Sequence, residues 1–140
     1  MKRLVLALPV AAMVLLSGPA MATGTEVHSA TIDGHGITGT VTIRTDSRFT
    51  SGTLSADLEG LTDSASWVQV SPGQCGEKYP WFVVKRWINH PVFTDGHWTF
   101  TVDLPVVSAP ALKTAMDHYD GAHALVHNDG ATTCADFPST

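Results

Sequence analysis

His97-Trp98-Thr99-Phe100-Thr101-Val102-Asp103-Leu104 decides the fold class. Trp98, Phe100, Val102 and Leu104 alternate with polar residues, the period-two signature of a strand with one face buried. Working outward, Ile37-Thr38-Gly39-Thr40-Val41-Thr42-Ile43 repeats it, with apolar or small residues at odd positions and threonines between them. Leu54, Ala56 and Leu58 do the same, and Trp67 to Val70, Tyr79 to Val84 and Ala122 to His127 read as further short strands. Asp33-Gly34-His35-Gly36 and Thr50-Ser51-Gly52 carry turn or bulge chemistry. Ala109 to Tyr119 is the one predicted helix, with Pro110 near its start, where a missing N–H is tolerated. Seven or eight short strands and one minor helix predict an all-β fold, a β-sandwich or a Greek-key barrel.

Upstream, Lys2 and Arg3 precede an apolar run from Leu4 to Leu16 and then Ser17-Gly18-Pro19-Ala20-Met21-Ala22. This reads as a signal peptide over 1–22, with an N-terminal membrane anchor as the competing reading: the apolar run is too short to span a bilayer comfortably, and Ala20-x-Ala22 suits a signal peptidase. The expected mature domain, 23–140, has the length of a single domain and is destined for secretion or the periplasm. It contains no later apolar stretch long enough to span a membrane. The chain carries a net charge of −5, and removal of Lys2 and Arg3 makes it −7. With no Lys/Arg cluster, no nucleic-acid partner is expected, since a phosphate backbone requires a basic face. An oxidising compartment favours pairing of the only two cysteines, Cys75 and Cys134. The competing reading is two free or metal-binding thiols, for which the sequence offers no CxxC or other ligand spacing. The predicted pair closes a loop of about 60 residues, worth on the order of 4 kcal/mol in the chain-entropy picture.

Trp67-Val68-Gln69-Val70-Ser71-Pro72-Gly73-Gln74-Cys75-Gly76 resembles the copper-ligand strand and following cysteine of the copper/zinc superoxide dismutases and their short bacterial relatives. Gly121-Ala122-His123-Ala124-Leu125-Val126-His127-Asn128-Asp129 and Thr133-Cys134-Ala135-Asp136-Phe137 resemble that family's late ligand strand and closing disulfide strand. Gly39-Thr40-Val41 and Gly52 to Thr62 are similar to its first hairpin strands. The resemblance covers nearly the whole mature chain and implies an eight-stranded Greek-key barrel with Cys75–Cys134 as the intradomain disulfide.

The departures from the family bear on function. Aligned on Cys75, the family's His-x-His copper pair falls on Gln69 and Ser71, which leaves Val68 and Val70 to face the core. Copper(II) in a nitrogen site prefers imidazole to an amide or hydroxyl. On the late strand His127 matches a family copper ligand. Ala131-Thr132-Thr133 stand where the family carries its superoxide-attracting arginine, and the segment from Glu77 to Val92 is too short and hydrophobic for the zinc loop. His123 and His127 share a face of one strand about 13 Å apart, too far for one ion to bridge. His90, His97 and His118 are further candidates to join His127 in a rebuilt site.

No Gly-x-Ser-x-Gly, P-loop or His-Glu-x-x-His motif occurs, and nothing local supports a Ser/His/Asp triad. Among the aromatic residues, Phe82, Trp98 and Phe100 are expected in the core. Trp81, Arg86 and Trp87, set among Lys85, Pro80 and Pro91, read as a loop with the composition of a protein-interaction surface. The sequence thus points to a superoxide dismutase-like domain that has lost catalysis and its cofactors and serves as a binding or structural module, with a protein partner or a second copy as occupant. Two alternatives stay open: a divergent copper/zinc protein with rearranged ligands, and an unrelated small β-sandwich.

Overall fold

The computed structural model describes residues 24–62, 66–77, 84–88, 96–104, 108–118 and 121–138. They form eight strands and one helix: β1 (Thr25–Gly34), β2 (Ile37–Asp46), β3 (Gly52–Glu59), β4 (Ser66–Pro72), β5 (Val84–Ile88), β6 (Trp98–Asp103), α1 (Ser108–His118), β7 (Ala122–Asn128) and β8 (Ala131–Asp136). The strands make two antiparallel sheets ordered β1-β2-β3-β6 and β5-β4-β7-β8. The chain therefore crosses between sheets after β3, after β5 and after β6.

Each alternating stretch buries its apolar side. Val41 and Ile43 on β2, Leu54 and Leu58 on β3, Val68 and Val70 on β4 and Val126 on β7 are fully enclosed between the sheets. Their strands stay half-polar because their other faces meet solvent or a loop. On β4 Val68 and Val70 face inward, as expected from sequence, and Gln69 and Ser71 alternate with them. Trp98 is buried and Phe100 packs against the core, its ring 4.3 Å from that of Trp98. Phe82 lies outside the described residues.

The turns follow local chemistry. His35 and Gly36, both at positive φ, close the β1–β2 hairpin, and Asp129-Gly130 closes β7–β8 in the same way. Two central residues at positive φ match the twist of the flanking strands. Along β1 and β8 the two sheets lie against each other, joined by the Thr133 hydroxyl donating to the Gly34 carbonyl at 3.0 Å. Helix α1 packs on β4 and β7 through Ala109, Leu112 and Ala115, spaced three apart on one stripe. It begins one residue before the expected Ala109, with Pro110 in its first turn.

Two elements correct the sequence reading. Strand β1 is an additional strand, burying His28, Ala30 and Ile32 alternately; its buried histidine disguised the apolar period. Val84–Ile88 is strand β5 and not a loop, because Lys85 to Trp87 pair in register with Trp67 to Gln69. No helix among the described residues is long and apolar enough to cross a membrane.

Candidate functional site

Strand β4 sits between β5 and β7, so its outward residues occupy the middle of the second sheet's outer face. There register brings distant residues into rows. Trp67 stands opposite His127, which stands opposite Thr132. Gln69 pairs with Leu125, and Leu125 with Cys134. Ser71 pairs with His123, and His123 with Asp136.

The sequence-predicted positions Gln69, Ser71 and His127 are thus brought to one face, but each is engaged in another contact. Gln69 Nε2 donates to Ser71 Oγ at 2.6 Å. The His127 ring stacks on Trp67 with centroids 4.9 Å apart and planes 8° from parallel, and its Nδ1 lies 3.0 Å from Thr132 Oγ1. Lys85 Nζ lies 4.2 Å from the centroid of the same indole, a cation–π contact. Amide, hydroxyl and a stacked imidazole do not fit the imidazole-rich donor set that copper(II) prefers. Among the described residues no three His, Cys, Asp or Glu side chains converge as metal ligands.

The other histidines have separate surroundings. His123 is buried, and its Nδ1 sits 2.7 Å from the Gly73 carbonyl; a carbonyl only accepts, so Nδ1 carries the proton. His123 therefore braces the turn that carries the chain from β4 to Cys75, with Gly73 N donating to Gly121 O in support. His97 belongs to the other sheet, where its Nε2 is 2.8 Å from Asp57 Oδ1. His118 ends α1, and His90 lies outside the described residues.

The disulfide joins Cys75 to Cys134 with Cα atoms 5.9 Å apart, and Cys75 N donates to Asp136 Oδ1 at 2.6 Å. It fastens the segment after β4 to β8, on the same face as Gln69 and Leu125. Of the expected interaction residues, Arg86 and Trp87 lie on β5 opposite Val68 and Trp67, and Trp81 lies outside the described residues.

Sequence reasoning missed Trp67 and Lys85 as members of this face. Alternation placed Trp67 beside Gln69, but its stacking on His127 depends on a pairing sixty residues away, for which local sequence holds no signal. No family model, curated protein or solved structure gives a significant match to the chain.

Proposed function

We propose that the chain is an exported, superoxide dismutase-like Greek-key domain that works as a binding module and not as a dismutase. The observation that carries this reading is the outer face of β4 and β7: at the positions that the resemblance assigns to copper, Gln69 is bonded to Ser71 and His127 is stacked on Trp67. The connectivity supports the fold half of the proposal. β6 returns beside β3 after a two-strand excursion and β7 returns beside β4, as Greek-key crossovers do. The Cys75–Cys134 bond agrees with the pairing that the resemblance implies and suits a secreted or periplasmic protein. The cluster of Lys85, Trp67 and His127 has the composition of a recognition surface, an aromatic ring flanked by groups that present positive charge or hydrogen bonds. Its occupant is a protein partner or a second copy of the chain.

Metal content and superoxide dismutation of the purified mature domain, loaded with excess copper and zinc and then desalted, test the proposal. The expected result is no retained stoichiometric metal and no dismutation above free protein controls, with the disulfide formed. Near-stoichiometric copper that disappears in His127→Ala would overturn it and establish a rebuilt redox site instead.

A further inference from the structure

The outward face of the first sheet is a lattice of hydroxyls. Ser29, Thr42, Ser55 and Thr101 are cross-strand partners in succession and form one unbroken row over all four strands. Thr31, Thr40, Asp57 and Thr99 form the next row. Strand geometry sets the neighbours in a row about 5 Å apart and the rows about 7 Å apart. Within the lattice Ser29 Oγ and Thr42 Oγ1 lie 2.9 Å apart, and Asp57 is held by His97 at 2.8 Å. Over β2, β3 and β6 lies a shallow, open depression of about 360 Å³ lined by Thr40, Thr42, Ser55, Asp57, Thr99 and Thr101.

β-Propensity explains a threonine on any exposed strand. It does not explain two adjacent rows whose eight positions are hydroxyl residues but for Asp57, nor why neither edge strand, β1 or β6, carries an outward lysine, a residue that commonly guards sheet edges. The charge around the rows is also one-sided: Asp33, Glu59 and Asp103 stand at their margins, with Arg44 the single outward arginine of the four strands. Anionic ligands such as nucleic acid, phosphate headgroups and sulfated polymers are therefore repelled. A ligand rich in hydroxyls and free of anionic groups matches the rows in hydrogen bonding and meets no repulsion from these carboxylates. Each Ser or Thr hydroxyl rotates to donate or accept, and the Asp57 carboxylate accepts from adjacent hydroxyls of one ring.

We propose that this depression is a binding site for an uncharged glycan chain laid across the hydroxyl rows. The inference is independent of whether the opposite sheet ever holds copper. Each hydrogen bond exchanged with water contributes little, so affinity depends on many acting together along the two rows.

The test is a ¹H–¹⁵N NMR titration of the mature, disulfide-bonded domain with cellohexaose, laminarihexaose and chitohexaose, with a sulfated heparin hexasaccharide as the anionic control. At least one neutral hexasaccharide should shift the amides around Thr40, Ser55, Asp57, Thr99 and Thr101, and the sulfated one should not. Thr40→Val combined with Thr101→Val keeps the β-branched shape while removing one hydroxyl from each row. That variant should melt like the parent and bind at least about tenfold more weakly. The proposal is overturned if no neutral hexasaccharide shifts these amides at millimolar concentration, if the shifts map elsewhere, if the sulfated sugar binds this face as well, or if the folded double variant binds unchanged.

Discussion

Asp46, at the end of β2, shows how much one side chain can organise. Its Oδ1 accepts from the backbone N–H of Arg48 and Thr50, and its Oδ2 from the Ser51 N–H and the hydroxyls of Thr50 and Ser51. The hydrogen bonds from the Thr50 hydroxyl, then its N–H, and those from Ser51 and Arg48, hold the carboxyl far below the usual carboxylate range. This turn keeps Phe49 buried at a positive φ that a bulky residue adopts only when its surroundings force it, with the Lys113 ammonium 5.8 Å from the ring centroid. Because the folded-state pKa is lowered, the carboxylate stabilises the fold above about pH 4 and that contribution fades as the pH falls below it. Asp46→Asn places an amide N–H among donors. Its melting temperature should fall below that of the parent at pH 7, and the gap should narrow between pH 4 and pH 2 in thermal scans; a gap independent of pH would contradict the assignment. At the same scale, Asn128 is buried and its Oδ1 accepts from Thr62 N, Thr62 Oγ1 and Ser66 Oγ at 2.8–3.1 Å. It ties β7 to both ends of the crossing from β3 to β4. Asn128→Ala should cost about 1–3 kcal/mol in urea unfolding, the range for disturbing buried hydrogen-bonded groups.

Strand β2 makes the point for elements. Its threonine-and-aliphatic alternation was readable because period two is a local property, and the same holds for β3, β6 and β7. The helix was legible to within a residue at each end because Pro110 and the spacing of Ala109, Leu112 and Ala115 are local as well. Pairing is not local. That β3 bonds to β6, and β4 to β7, is decided by which apolar faces meet across the core, so the Trp67–His127 stack and the hydroxyl rows became visible only with register. β1 escaped notice because a buried histidine at position 28 reads as polar, and β5 because Lys85 and Arg86 resemble a loop in isolation. Gly39 shows what register adds: at φ 137°, a Cβ on it would lie 2.0 Å from the Asp57 carbonyl oxygen of the neighbouring strand. Gly39→Ala must therefore part β2 from β3 locally. It should destabilise by about 1–3 kcal/mol, although alanine normally favours a strand over glycine. Slower amide exchange at the β2–β3 pairs in the variant would contradict this.

For the whole molecule, the cross-link matters through what it connects. The second sheet is assembled from strands drawn from both halves of the sequence, and β8 at its edge is the last in chain order among the described strands. Cys75 and Cys134 are 59 residues apart, so their bond holds the end of the chain near the middle of the sequence even when the rest is unfolded. That constraint removes freedom from the unfolded state and is worth on the order of 4 kcal/mol at this loop length, with 2–5 kcal/mol typical when a native disulfide is removed from a small domain. At a few degrees per kcal/mol for a domain of this size, replacing both cysteines by serine should lower the melting temperature by roughly 10 °C. Asp136 then gains importance, because its carboxylate accepts from Cys75 N, a backbone group that the double substitution leaves in place. Adding Asp136→Ala to the cysteine-free protein should therefore lower stability by about 1–2 kcal/mol more than adding it to the parent, where the cross-link already fixes the two segments. A double-mutant cycle on urea midpoints measures that difference. A value near zero would mean that β8 is held by its ladder with β7 alone, and that the cross-link acts only on the unfolded chain.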